Sequence, residues 1–226
     1  MPVGIHEKRP SVTSRTDVLR GGDSRESGSE VNAVITKPRT VGLLALQGDF
    51  HMHRQAVEGI GCAAREVRTA DDLAQVDCLI MPGGESSTMR LLMAASGLIT
   101  ALPEFAKHHP IMGTCAGLIL LGHSIESRPA EWTLGLIDCD VTRNAYGRQL
   151  YSFRNQGTVS LGNGTRPFEM VFIRAPKITR VGGDVEILGR MDGEPTMIRQ
   201  GRILGTTFHP ELAGDNRIHE YFLSLT

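Results

Sequence analysis

The stretch HHPIMGTCAGLILLG, residues 108–122, sets Cys115 between Thr114 and Ala116, with Gly113 and Gly117 on either side. Apolar residues lead into this G-T-C-A-G run and follow it. A cysteine that only fills a core needs no such clearance. A cysteine on the outside of a sharp strand-to-helix turn does, because larger neighbours would collide there. We read "PIMG" as a short strand and "AGLILLGHS" (116–124) as the helix that follows. The pattern fits a nucleophile elbow, G-x-S-x-G, with sulfur replacing the hydroxyl. Such a bend strains the backbone and aims the side chain out of the sheet. It also sets Cys115 at the positive end of the helix, which favours a thiolate nucleophile. The backbone N–H of Ala116 is then a candidate oxyanion donor.

Working outward, the chain alternates short apolar runs with helical patterns. "VGLLAL" (41–46) and "CLIMP" (78–82) read as strands buried on both faces, and "AREVR" (64–68) as a further strand. Helical patterns cover 50–60, 71–76, 86–96 and 101–109. Parallel strands linked by helices imply a three-layer α/β fold, with a largely parallel central sheet and helices on both faces. The second half is richer in strands, at 136–143, 157–161, 170–176, 185–190, 196–200 and 203–208, and closes with a helix at 216–226. Asn163-Gly164 and Asp192-Gly193 are hairpin signals, so these added strands are expected to be antiparallel.

The first 39 residues differ in texture. "RGGDSRESGSE" is polar, Gly/Ser-rich and without an apolar period, so it cannot offset its ordering entropy. We expect residues 1–39 to be a disordered extension and residues 40–226 to form a single domain. The chain has 226 residues, 40% hydrophobic and 22% charged, with a formal net charge of −1. That balance does not point to a nucleic-acid or membrane-surface binder. No apolar run approaches a bilayer span, and the N-terminus carries no apolar signal core. Cysteines stand at 62, 78, 115 and 139 with no C-x-x-C pair. A reducing cytoplasm with free thiols fits them.

A second constellation sits at "TTFHPEL" (206–212), after the expected strand at 203–208. Pro210 biases His209 to extended backbone. Residues i and i+2 of an extended chain share a side, so Glu211 falls beside His209. A carboxylate there fixes the imidazole tautomer and stabilises the imidazolium. Cys115, His209 and Glu211 thus make a candidate nucleophile, base and orienting acid.

The elbow together with "FHPE" resembles the triad-type (class I) glutamine amidotransferases. "LALQGDF" (44–50), "PGGESSTM" (82–89), "RNAYGRQ" (143–149) and "FIRAP" (172–176) narrow the match. Together they resemble the glutaminase subunits of pyridoxal 5′-phosphate synthase, over roughly Val41 to Thr226. The resemblance implies hydrolysis of L-glutamine to glutamate and ammonia, with a thioester on Cys115 and no metal or other cofactor. It implies oxyanion donors at Gly84 and Ala116. It implies a glutamine site built from Gly84, Glu85, Ser86, Arg143, Ile173 and Arg174, where guanidinium suits the α-carboxylate and carboxylate the α-ammonium. It also implies a separate synthase subunit that receives the ammonia within a large hetero-oligomer. Two alternatives stand beside it: the glutaminase of another ammonia-channelling synthase, and a non-hydrolytic cysteine sensor or chaperone on a related fold.

Other residues read as structural. His51-Met52-His53 resembles a metal pair, but i and i+2 on a helix do not face each other, and solvent-facing imidazoles are expected. Cys62, Cys78 and Cys139 are expected to pack as small hydrophobes, and Met89, Met93 and Met112 to fill core. Trp132 is either a partner contact or a loop anchor.

Overall fold

The computed structural model describes residues 40–126, 128–143, 152–162 and 164–226. Residues 1–39, and 144–149 of the RNAYGRQ stretch, lie outside the described residues.

The first half follows the strand–helix alternation. β1 (Thr40–Leu44), α1 (Phe50–Gly59), β2 (Ala63–Val67), α2 (Ala70–Leu73) and β3 (Cys78–Met81) come in order, then α3 (Ser86–Ala95), α4 (Leu98–Ala106), β4 (Ile111–Thr114) and α5 (Ala116–Leu121). β5 (Gly122–Ile125), β6 (Ile137–Thr142), β7 (Ser152–Ser160), β8 (Thr165–Ile173) and β9 (Lys177–Val181) follow. β10 (Glu186–Met191), β11 (Glu194–Gln200), β12 (Ile203–Thr206) and α6 (Arg217–Leu223) complete the chain.

Among the described residues, nine strands form one sheet in the order β2-β1-β3-β4-β12-β11-β10-β7-β8. The run from β2 to β12 is parallel, and the strands from β11 to β8 are antiparallel. Period-two alternation divides the side chains between two faces. Val41, Leu43, Ile80 and Met112 pack with Val57 of α1 and with Ile218 and Phe222 of α6. Leu44, Leu79, Met81 and Ile111 pack on the other face with Met89, Met93, Leu102 and Leu118. Helices therefore cover both faces, as expected. Cys62, Cys78 and Cys139 are buried among apolar side chains. Asp192 and Gly193, at φ 51° and 82°, make the two-residue turn that pairs Met191 with Glu194.

Two details differ from the sequence reading. The helix after Cys115 stops at Leu121, and Gly122–Ile125 instead joins β6 and β9 in a second, three-stranded sheet. Gly122 permits this approach, since a Cβ there would lie 3.3 Å from the Cys139 carbonyl oxygen. β9, sequence KITRV, was not anticipated. Its two apolar positions among polar ones carry no strand-like run, and its pairing with β6 defines it.

The elbow depends on close backbone contact. A Cβ on Gly117 would stand 2.2 Å from the Met81 carbonyl oxygen, and one on Gly113 would stand 2.6 Å from the Gly117 carbonyl carbon. α5 can lie against β3 and β4 only because both side chains are absent. Gly117→Ala is expected to lower unfolding free energy by about 1–3 kcal/mol, the range for overpacking a filled core, as read by denaturant titration. Gly183→Ala is the control, because a Cβ there meets nothing within 4 Å; it should stay within ~0.5 kcal/mol. Equal stability of the Gly117→Ala chain and the wild type would contradict this packing.

Candidate active site

Cys115 follows β4 directly and holds φ 50° and ψ −99°, a conformation that side chains with a Cβ rarely adopt. Its N–H donates to the Thr206 carbonyl at 2.8 Å, which extends the β4–β12 pairing by one step beyond Thr114↔Thr206. Its thiol is directed to the Ile173 carbonyl oxygen at 3.8 Å. The bend expected from G-T-C-A-G is therefore present, and it directs Cys115 into a cleft rather than into the core.

Because β4 and β12 are parallel neighbours, the chain leaving β12 emerges beside the elbow. The His209 N–H donates to the Val171 carbonyl of β8 at 2.8 Å, and the rings of Phe172 and Phe208 pack 6.0 Å apart. The antiparallel half of the sheet thus brings the end of β8 back to the segment after β12. This return carries Ile173 and Arg174 to the same cleft.

His209 and Glu211 do meet, but not through extended chain. Pro210–Leu212 is a 3₁₀ turn, and Glu211 Oε1 accepts from His209 Nδ1 at 2.8 Å. Both side chains are buried. That contact leaves His209 Nε2 as the remaining ring nitrogen, buried and without a hydrogen bond. Burial works against a charged His209, but the neighbouring Cys115 sulfur and the bond and charge of Glu211 outweigh it and raise the ring to about 10. Burial likewise pushes the Glu211 carboxyl up; the facing His53 ring and the His209 bond overcome it and hold the group down at about 2. The pair is therefore built to stabilise an imidazolium.

The loop after β3 closes another side. A Cβ on Gly83 would stand 2.3 Å from His209 Cε1, so bare backbone is packed against the imidazole. Gly84, at φ 157°, leads to Glu85, whose N–H donates to Gln47 Oε1 at 2.8 Å. Glu85 caps α3, its two oxygens accepting from the Ser87 and Thr88 N–H groups at 3.1 and 2.6 Å. What burial it has works against its charge, but these bonds hold it at about 2. Arg143 donates to Ser87 Oγ at 3.2 Å and lies 3.8 Å from Glu85 Oε1. Its guanidinium also stands 6.0 Å from the Trp132 ring, which Arg90 and Arg128 flank at 5.9 and 5.5 Å. Arg90 further bonds the Trp132 carbonyl at 2.8 Å, so Trp132 acts as a loop anchor. Arg174 is exposed at φ 45°, a second strained residue on the cleft.

The cleft has a volume of about 260 Å³, small-metabolite scale. Gly84, Glu85, Ser86, Cys115, Arg143, Ile173, Arg174 and His209, each expected from the sequence, all line it. Glu211 stands behind His209, and Ala116 follows Cys115 at the start of α5. Gly48, Asp49, Gly83 and Ile119 also line it and were not singled out. Three of these four fall inside the quoted motifs LALQGDF and PGGESSTM, which was the available signal. Among the described residues no three His, Cys, Asp or Glu side chains gather as a metal site.

One reading is corrected. His53 is not solvent-facing: it is fully buried on the inner face of α1 with Ala56 and Val57, whereas His51 is exposed. The i, i+3, i+4 spacing of 53, 56 and 57 was the signal that it turns inward. His53 Nδ1 is 3.0 Å from His219 Nε2 of α6, and His53 Nε2 is 3.3 Å from both Thr114 Oγ1 and Glu211 Oε2.

The chain is similar to known proteins over most of its length. Residues 43–226 match the model of the SNO glutamine amidotransferase family. Proteins named pyridoxal 5′-phosphate synthase subunit PdxT are similar over most of their length. That of Koribacter versatilis is 46% identical over 185 residues, covering 82% of this chain and 94% of the relative. That of Thermus thermophilus is 45% identical over 187 residues, covering 82% and 96%. A crystal structure of a glutamine amidotransferase superposes with a TM-score of 0.77 at 43% identity, over 82% of this chain and 97% of the other. PurLQS from Thermotoga maritima, at 18% identity and a TM-score of 0.63, shares the fold. With a matched span this long and relatives this similar, the chain belongs to the SNO glutamine amidotransferase family.

Proposed function

We propose that this chain hydrolyses L-glutamine to glutamate and ammonia through a cysteine thioester. It passes the ammonia to a separate synthase subunit, in a large hetero-oligomer in the cytoplasm, that makes pyridoxal 5′-phosphate for vitamin B6 synthesis. Residues 40–226 act as one amidotransferase domain. The observation that carries the reading is the meeting, on one small cleft, of a thiol held at a strained bend and an imidazole with an unoccupied Nε2 and a carboxylate on Nδ1.

Cys115 Sγ attacks the side-chain amide carbon, its proton carried by His209 Nε2. The tetrahedral oxyanion is held by the N–H groups of Gly84 and Ala116, and losing one such donor costs about 100- to 1,000-fold. The C–N bond breaks as His209 returns the proton to the leaving nitrogen, which departs as ammonia. Water then attacks the thioester carbonyl, giving its proton to His209; the C–S bond breaks and the sulfur regains a proton. Glu211 remains ionised and steadies the imidazolium in both halves. Glu85 and Ser86, with Arg143, Ile173 and Arg174, hold the amino-acid end of the substrate. Thiol, base and water suffice for this chemistry, so the proposal contains no cofactor. The 45–46% identity to subunits named for pyridoxal 5′-phosphate synthase favours that partner over other ammonia acceptors.

Glutamate release from glutamine, measured with and without a pyridoxal 5′-phosphate synthase subunit, tests the reading. Strong stimulation by the partner is expected, and Cys115→Ala should reduce the rate by at least about 1,000-fold. A Cys115→Ala chain that still hydrolyses glutamine would rule out the thioester.

Thiol reactivity gives a separate check. Burial pushes the Cys78 thiol far up, and burial pushes Cys139 up to about 12. Iodoacetamide at pH 8 should therefore modify Cys115 before Cys78 and Cys139, as mapped by peptide mass spectrometry, with glutamine slowing it. Modification of Cys78 or Cys139 at the same rate as Cys115 would contradict the assignment.

A further inference from the structure

Behind the candidate acid the molecule buries two histidines that the proposed reaction does not use. His53 and His219 are both fully buried, on α1 and α6. They lie 166 positions apart in sequence, yet their rings are joined nitrogen to nitrogen at 3.0 Å. His53 then reaches Thr114 Oγ1 and Glu211 Oε2, each at 3.3 Å. Glu211 Oε2 is buried and makes no full hydrogen bond, so the His53 ring is the polar group facing it.

Proton bookkeeping orders this chain. An ionised carboxylate is acceptor-only, so a ring nitrogen beside Oε2 must carry a hydrogen. His53 Nε2 is therefore the protonated nitrogen, bonded to Thr114 Oγ1 and facing Glu211 Oε2. If the ring is neutral, His53 Nδ1 is an acceptor and His219 Nε2 must be the donor. The neutral His219 ring then ends in a bare Nδ1, and that atom is the one found buried and unpartnered. A charged His53 would instead donate from Nδ1 to His219 and turn a hydrogen-bearing His219 Nδ1 into a buried orphan, the less common defect.

We propose that His53 is a positioning residue for Glu211, and that His219 sets the tautomer in which His53 can do this. The inference rests on the role proposed above for Glu211. Donor direction then runs from His219 Nε2 to His53 Nδ1, and the His53 Nε2–H bonds Thr114 Oγ1 and faces Glu211 Oε2 at 3.3 Å, while His209 Nδ1 donates to Oε1 from the other side. The carboxylate is bonded at Oε1 and faced by an N–H at Oε2, and together these oppose its rotation away from His209.

The surrounding charges agree. His53 is faced by Glu211 and His209 from the segment after β12, by His219 from α6, by Asp49 from the loop before α1, and by Thr114 at the end of β4. Burial, with the nearby His209 adding to it, outweighs the attraction of Glu211 and Asp49 and lowers His53 below the usual histidine range. Burial also lowers His219, to about 3. Both shifts favour the neutral rings that the hydrogen-bond order requires.

The test compares the full chain with His53→Leu and His53→Gln, each assayed for glutamate release together with the synthase subunit after a circular-dichroism check of folding. Gln keeps an N–H donor near the position of Nε2, and Leu keeps only bulk. His53→Leu is expected to lower kcat about 10- to 100-fold, the scale on which outer partners of a functional histidine act in metal sites, with KM within twofold. Its kcat/KM should fall off at higher pH on the acid side, because a buried Glu211 without the facing N–H protonates more readily. His53→Gln should recover most of the rate and the wild-type acid limb. A folded His53→Leu chain with wild-type kcat and pH profile would overturn the inference. Equal losses in Leu and Gln would overturn it too, since they would mark a packing role. If neither variant folds, ¹⁵N histidine NMR of the wild type decides. Neutral Nε2–H tautomers at both rings near pH 7 are expected; an imidazolium or an Nδ1–H at His53 would overturn it. Failure of the glutaminase reading would look different, as wild-type protein and partner without Cys115-dependent glutamate release.

Discussion

The parallel pairing of β4 with β12 is the constraint on which the site depends. It aligns Thr114 with Thr206, and the next hydrogen bond, from the Cys115 N–H to the Thr206 carbonyl, lies at the sheet's carboxyl edge. The two strands are about 90 residues apart in sequence. Their register alone decides that the elbow and the His209 turn leave the sheet side by side. Parallel α/β sheets commonly bind ligands at this edge, where loops diverge from rigid strands. Shifting β12 by one residue would reverse the faces of its side chains and move the turn away from the thiol.

Holding that edge open has a local cost. Cys115 and Arg174 both sit at positive φ on the cleft, and such residues typically cost about 1–3 kcal/mol each. The surroundings enforce them: Cys115 by its bond to β12 and by α5, which rests on bare glycine backbone; Arg174 by the end of β8, tied to His209 through Val171. Electrostatics at the site works the same way. Burial opposes charge on both His209 and Glu211, and only their mutual contact and their neighbours reverse this. Imidazole and carboxylate are thus ordered before any substrate arrives.

Much of this was legible in sequence because it is local. The run at 41–46, the CLIMP strand and the G-T-C-A-G bend each carry their signal within a few residues, as does the Asp192-Gly193 turn. The candidate site residues were also legible, since each falls in a motif with a chemical reason for its residue types. What escaped is non-local. Strand order and the return of β8 to the His209 turn depend on pairings far apart in sequence. β9 is a strand only because β6 pairs with it. His53 shows the limit best: read beside His51 it resembles a solvent-facing pair, and only its contact with His219 and Glu211, on elements more than 150 residues later, gives it a place. The i, i+3, i+4 spacing with Ala56 and Val57 pointed inward, but a buried imidazole without a visible partner is an unfavourable reading until the partner is known.

The most direct measurement is acid-quench mass spectrometry of the chain turning over glutamine with its synthase partner, followed by peptide mapping. A nucleophilic thiol served by His209 predicts a glutamyl adduct on Cys115 that forms and decays at rates compatible with glutamate release. Glutamate production with no adduct on Cys115 at any time point, or with the adduct on another side chain, would contradict the account.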